Sequence, residues 1–304
     1  MRRVVVLGGY GAVGREVVAG LRGHIPEIVV GGRDLARASA VTGAVPLRFD
    51  LREDDLSLLD ADAVVMCAEQ DNVRVARACL ARGIHYVDVS ADHDVLTAIE
   101  RFDSLAVERK ATAVLSVGLV PGVTNLLANS LNGEATDIGV LLGLGEHHGP
   151  SAVKWTLDAL GDVGESWRMR FPEPYGNRTV HGFPFSDQFT LPGRVRTGLC
   201  LDSRVVSALL PRFRKVRNAK SLNWLLRKVH FGRDGFAVAA ASDGKVKPFS
   251  GRRQSRATGL VAAMVVSRLE GLPPGVRHIE NAVGTDFLPE LASHGFSLHA
   301  YEAT

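Results

Sequence analysis

The sequence predicts an α/β fold, in which a doubly wound parallel-sheet domain is joined to an α+β domain. Three observations predict it: short apolar runs alternate with helical patterns as far as Val117, a glycine cluster lies between the first run and the first helix, and the rhythm changes after Gly118. The runs are continuously apolar, the pattern of strands buried on both faces, and right-handed crossovers then leave the doubly wound arrangement as the economical topology.

Val4 to Leu7 is the first strand, and Ala12 to Leu21 reads as a helix with Val13, Val17, Val18 and Leu21 on one face. A strand at Glu27 to Val30 precedes a helix from about Asp34. Strands follow at Val45 to Phe49 and Ala63 to Cys67, then a helix over Asn72 to Arg82 and a strand at His85 to Val87. A helix through Ile99 to Arg109 and a strand at Ala113 to Val117 complete the series. Beyond Gly118, Gly and Pro punctuate Val140 to Pro150 and Phe171 to Gly193. Phe236 to Ala241 alternates like a strand, and Ser242 to Gly244 is a hairpin-turn sequence. Ala257 to Leu269 is a nearly all-apolar helix, shorter than the ~18 residues a membrane span needs, and reads as a core helix.

The 304 residues suggest two domains, and the composition is that of a soluble globular protein. No signal-peptide pattern follows Met1, so the expected location is cytoplasmic, with no membrane association. Three cysteines without C-x-x-C or Cys/His spacing indicate neither a disulfide framework nor a metal site. The net charge of +3 is unevenly distributed. Arg194 to Arg256 holds sixteen Lys or Arg against three Asp and no Glu, which fits an acidic partner for that segment or simply a solvated basic face. No helix-turn-helix, zinc-finger or stacking-aromatic pattern accompanies the charge, so no nucleic-acid partner is expected.

Gly9-Tyr10-Gly11-Ala12-Val13-Gly14 is G-x-G-x-x-G directly after a strand and opening a helix. Gly9 permits the tight turn, Gly11 lets the backbone approach a pyrophosphate, Gly14 lets helix and strand pack closely, and the helix N-terminus offers free N–H groups. The alternative is a glycine-rich corner without ligand. A site that prefers NAD places a carboxylate about twenty residues on. Here the second strand ends Val30-Gly31-Gly32-Arg33-Asp34, with glycine where that carboxylate is expected and Arg33 able to pair with a 2′-phosphate. This favours NADP over NAD; alternatively Asp34 is the ribose ligand, or it caps the next helix. At the carboxyl end of the fourth strand, Cys67, Ala68 and Gln70 stand where open α/β sheets bind ligands, although Glu69 to Asn72 also reads as a plain helix start.

Taken in order, GGYGAVG, GGRDLARA, ACLARGIHYVDVSAD and VGLVPGVTNLLAN resemble the saccharopine dehydrogenase-like NAD(P)-dependent oxidoreductases, as does the C-terminal GLPPGVRHIENAVGTDFLPELASHGF. The resemblance implies a Rossmann domain of residues 1–122 completed by returning C-terminal helices 257–304, with an inserted α+β domain of 123–256 that contacts substrate and forms a homodimer. It assigns Gly9, Gly11, Ala12, Val13 and Gly14 to the pyrophosphate and Arg33 to the adenosine phosphate, and sets Tyr86 and Asp88 at the cleft edge. The family loop often reads Asp-Pro-Gly where this chain has Val120-Pro121-Gly122, which argues against saccharopine itself as substrate.

Reduction of an imine or carbonyl needs a hydride, a proton donor and charge to fix substrate carboxylates. Asp88 is the first candidate for proton transfer or for contact with a substrate amine, with a turn-capping role as the alternative. Tyr86 is a possible hydrogen-bond donor on the same side of its strand. His147 (with His148) and Lys154, in a glycine-rich loop, are candidates for acid or carboxylate ligand. Asn125 orients substrate or caps its own helix. Neither Tyr86 nor Tyr175 has Lys four residues on, where Ser90 and Thr179 stand, and there is no G-x-S-x-G elbow, P-loop lysine or H-E-x-x-H. Short-chain dehydrogenase, hydrolase and kinase readings therefore fail.

The expected function is NADP-dependent hydride transfer to C=N of a small or carrier-bound acidic substrate, or its reverse. The alternatives are a ketone or enoyl reductase of a secondary-metabolite pathway and a non-catalytic NADP-binding regulatory protein.

Overall fold

The computed structural model describes residues 1–143, 145, 162–213 and 233–302. They fall into two compact units, Met1–Gly122 with Ser255–Gly284, and Val123–Gln254 with Thr285–Thr304.

The first unit contains β1 (Arg3–Leu7), α1 (Ala12–Leu21), β2 (Glu27–Gly32), α2 (Leu35–Ser39), β3 (Val45–Arg48), β4 (Ala63–Met66) and α3 (Asn72–Ala81). It continues with β5 (His85–Asp88), α4 (His93–Glu100), α5 (Asp103–Glu108) and β6 (Thr112–Leu115). One helix was expected through Ile99–Arg109; the chain instead breaks at Arg101 and Phe102, and α5 starts afresh at Asp103. The second unit opens with α6 (Thr124–Asn129), β7 (Ala135–Leu142), β8 (Ser166–Arg170), β9 (Asn177–Gly182), α7 (Asp187–Thr190) and β10 (Arg194–Leu201). Then come α8 (Arg204–Phe213), β11 (Gly235–Ser242) and β12 (Lys245–Arg252). After these, α9 (Gln254–Val266) and β13 (Gly275–His278) belong to the first unit, and α10 (Phe287–Ser293), β14 (Ser297–Leu298) and β15 (Tyr301–Glu302) to the second. No described helix is long and apolar enough to cross a membrane.

The sheet of the first unit runs β13-β6-β5-β4-β1-β2-β3, every pair parallel. The strand order reverses between β1 and β4, and ligands of such sheets bind in the crevice outside the carboxyl ends of the strands at that point. Val4, Val6, Val64 and Val65 are wholly buried, as continuous apolar strands covered on both faces must be. One face carries a core of Val5, Leu7, Val64, Met66, Leu80, Tyr86 and Leu96. α9 and α1 meet through small residues: a Cβ on Gly20 would lie 2.7 Å from that of Ala263, and one on Gly259 would lie 2.4 Å from that of Glu16. Glycine at both positions is what lets the two backbones approach.

The second unit holds a mixed sheet, β14-β12-β11-β7-β10-β9-β8, with β15 also on β12. β7 and β10 are parallel; the other pairs are antiparallel. Trp167, Met169 and Phe171 sit over the small residues Gly139 and Gly198, where any Cβ would clash. The C-terminal twenty residues depart from expectation. Residues 257–304 were expected to return together to the first unit, yet 285–304 belong to the second, because β14 and β15 add to β12 and Phe296 packs on Phe236 and Phe249.

Candidate functional site

At the strand-order reversal, Gly8 follows β1 with φ +77, and its N–H donates to the Gly31 carbonyl at 2.9 Å. A Cβ on Gly14 would stand 2.5 Å from both the Gly8 oxygen and the Gly9 Cα, so only glycine allows this closeness of helix and loop. Gly9 is similarly enclosed, by the Val6 carbonyl and the Val30 side chain. At Gly11 the nearest atom to a Cβ is the Gly8 oxygen at 3.2 Å, and the other side is open. Gly11 is the N-cap of α1, no side chain caps the helix, and no acidic residue lies in its first turn. The amides of Ala12, Val13 and Gly14 therefore have no intrahelical acceptor and sit at the positive end of the helix, an arrangement that fits a phosphate group.

Arg33, at the end of β2, is exposed and makes no ion pair among the described residues. Asp34 caps α2, accepting from the Arg37 N–H at 3.0 Å, so of its alternative readings the structure displays the cap. The space left by the absent side chain of Gly32 is filled by the Tyr10 ring, 2.3 Å from where a Cβ would be. The Arg37 guanidinium lies 4.6 Å from the centre of that ring, a cation–π distance. Sequence reasoning passed over Arg37, although its spacing of four from Arg33 within GGRDLARA was the available signal. Arg15 donates through Nε to the Tyr10 carbonyl at 3.0 Å and steadies the loop.

Cys67 and Ala68 leave β4 half-buried beside Gly8. Burial and the neighbouring Asp88 carboxylate push the Cys67 thiol well above its usual range. Among the described residues the buried Gln70 Nε2 has no acceptor. A buried amide nitrogen without a partner costs stability, and at this edge it suits a ligand oxygen.

Asp88 and Tyr86 are wholly inside the unit, with no exposed surface. Tyr86 donates its hydroxyl to Asp88 Oδ2 at 2.7 Å, the Ser90 N–H donates to Oδ1 at 2.8 Å, and Asn72 Nδ2 lies 3.1 Å from both oxygens. Burial raises the Asp88 carboxyl above its usual range, and these donors oppose the shift. Burial, followed by the Asp88 charge, raises the Tyr86 phenol. In this structure the two residues meet each other and not solvent, a placement suited to holding structure and not to direct proton exchange. His147, His148 and Lys154 lie outside the described residues. Asn125 is buried and donates to Thr190 Oγ1 at 3.3 Å, without capping α6.

Ser116, just beyond β6, has φ +55. Its hydroxyl is 2.7 Å from His278 Nδ1, and His278 Nε2 is 2.8 Å from Glu100 Oε1. The residue types match a hydrolytic triad, but Ser116 is wholly buried and out of reach of a substrate carbonyl. The chain of bonds ties the turn after β6 to α4 and β13.

Residues 4–114 match the family model for the saccharopine dehydrogenase NADP binding domain. Among solved structures the chain is similar to the apo histidine-tagged saccharopine dehydrogenase (L-Glu forming) from Saccharomyces cerevisiae, with 15% identity, a TM-score of 0.65 and 100% of both chains covered. It is also similar to a meso-dapdh mutant with DAP from Clostridium tetani, at 15% identity and a TM-score of 0.49, covering 97% of this chain and 99% of that one. A third similar structure is aspartate dehydrogenase from Thermotoga maritima, at 16% identity and a TM-score of 0.47, with 89% and 97% covered. At such identities the yeast structure speaks for the fold alone. No curated protein matches the chain. Residues 4–114 are thus similar to an NADP-binding domain of the saccharopine dehydrogenase type, and the dinucleotide of this site is NADP.

Proposed function

We propose that the protein is an NADP-dependent oxidoreductase that transfers hydride to the C=N bond of a small or carrier-bound acidic substrate, in an opine- or imine-type reduction or its reverse. The observation that carries this reading is an NADP-binding domain within a chain that shares, along its full length, the fold of a saccharopine dehydrogenase. Val120-Pro121-Gly122, in place of the family's Asp-Pro-Gly, argues for a substrate other than saccharopine.

Bound NADPH supplies the hydride. The chain's own residues hold and orient. The amides of Ala12, Val13 and Gly14 receive the pyrophosphate, with Gly9 and Gly11 keeping the approach clear of side chains. Arg33, and Arg37 braced against Tyr10, neutralise the adenosine phosphate, a dianion whose oxygens match guanidinium donors. Cys67 and Ala68 form the edge beside Gly8, and Gln70 offers its amide nitrogen there. Asp88 and Tyr86 keep this edge rigid from inside, and the proton that the substrate nitrogen takes up is assigned to His147 or Lys154.

The test is a fluorescence titration with NADPH and with NADH, repeated on Arg33→Ala. Wild type should prefer NADPH, and the variant should lose roughly 10- to 100-fold of that affinity, about 1.4–2.8 kcal/mol, while its NADH affinity stays unchanged. Binding of neither nucleotide would overturn the oxidoreductase reading. Ketone or enoyl reduction on an acidic carrier is a second reading, favoured by the basic excess between Arg194 and Arg256. Turnover that needs an amine partner selects the first reading; turnover without one selects the second.

A further inference from the structure

Gln70 and Asp88 are linked through a single side chain. Asn72 Oδ1 accepts from the Gln70 backbone N–H at 2.9 Å, and Asn72 Nδ2 donates to the Asp88 carboxylate at 3.1 Å. The orientation of the Asn72 amide is settled by chemistry: the Gln70 backbone N–H only donates, so the Asn72 end that meets it is the oxygen, and the nitrogen end faces the Asp88 carboxyl. Asn72 is 5% exposed and Asp88 not at all, so the bond between them does not compete with water, and the bond from Gln70 is partly shielded. Between Gln70 and Asn72, Asp71 has φ +56, a left-handed conformation that costs a non-glycine residue free energy and that its surroundings must hold. Asp71 stands at the N-cap of α3 but its side chain makes no capping hydrogen bond, pairing instead with Arg74 at 3.9 Å, so a helix cap does not account for the bend. The bend does turn Gln70 back onto its own helix start, at the carboxyl edge of β4, with its side-chain nitrogen buried and without an acceptor among the described residues.

We propose that Asn72 is a positioning residue: anchored to the buried Asp88–Tyr86 pair, it fixes the Gln70 backbone so that the Gln70 side-chain amide is held ready to donate to NADP. The inference rests on the oxidoreductase reading above and adds a residue to it. Asp88 is thereby an anchor. Its carboxylate collects donors from Tyr86, Ser90 and Asn72, and the rigidity of that centre reaches the cofactor edge through one amide. A donor held in place before binding loses less freedom when the ligand arrives, which strengthens binding without any added contact.

A double-mutant cycle tests it, with NADPH affinity as readout and each variant first checked for a cooperative thermal transition. Gln70→Ala should weaken NADPH about tenfold, the worth of one hydrogen bond. Asn72→Ala, which touches no ligand in this scheme, should weaken it by a similar factor, and the double variant should be no weaker than either single one. Cys79→Ala, which loosens the same helix at a buried position remote from Asn72, serves as the control and should bind as wild type does. Wild-type affinity in Asn72→Ala, or losses that multiply in the double variant, would overturn the inference. Should Asn72→Ala fail to fold, hydrogen exchange of the wild-type Gln70 N–H decides. Strong protection without nucleotide is expected; exchange at the rate of a free amide refutes the link. Wild type that does not bind NADPH refutes the functional reading instead, so the two failures are distinct.

Discussion

Asp88 shows how a single residue carries two demands at once. Its carboxylate is removed from water, which favours the protonated form, yet every neighbour within bonding distance is a donor, which favours the ionised one. Burial is the larger effect, so its folded value lies above the ordinary 3.8. Between those two values the folded protein keeps a proton that the unfolded chain has released. The contribution of Asp88 to stability is therefore complete below 3.8 and declines as pH rises through the folded value. Urea unfolding across pH 3.5 to 7 should show the advantage of wild type over Asp88→Asn shrinking as pH rises; a pH-independent gap would mean that burial does not govern the group. The glycine loop was legible in the sequence because Gly9 and Gly14 answer backbone constraints close along the chain. The Asn72–Asp88 bond was not, since it joins residues sixteen positions apart on a helix and a strand whose register only the folded sheet decides. Asp88 and Tyr86 could be assigned to one side of a strand from alternation, but the side could not be assigned to interior or cleft.

At the scale of elements, long continuous apolar strands announced themselves and short late ones did not. β13 is four residues, Gly-Val-Arg-His, with neither an apolar run nor alternation strong enough to mark it, and it is a strand because it lies parallel to Thr112–Leu115. β14 is two residues long and is held by its neighbour Phe296, whose ring centre lies 5.4 Å from that of Phe249 and 6.0 Å from that of Phe236. Gly251 lies beneath it, with no room for a Cβ. Phe296 is 7% exposed, so Phe296→Ala removes a buried ring and leaves a cavity. The expected cost is about 3–5 kcal/mol, read as a lower urea midpoint for the second unit. A change under about 1 kcal/mol, the range of an ordinary surface substitution, would show that the C-terminal strands do not depend on this ring.

At the scale of the whole molecule, the chain leaves the first unit at Gly122 and re-enters it at Ser255. The returning stretch supplies α9, in which Ala257, Val261, Ala262, Val265 and Val266 are wholly buried, and the strand beside β6. A fragment of residues 1–122 should therefore lack a cooperative urea transition, and joining 255–284 to it through a short flexible linker should restore one. A sharp transition in the fragment alone would mean that the returning segment is dispensable. That return also sets a schedule for the living cell. While the ribosome adds the roughly 160 residues between β6 and β13, at 5–20 residues per second, the nascent first domain waits for about 8–32 s with β6 as a bare edge. Throughout that interval the newborn chain is open to mispairing with a neighbour's nascent strand. Slow synthesis or a premature stop within residues 123–254 would thus cost the cell aggregated product, and the demand for a chaperone falls in that window.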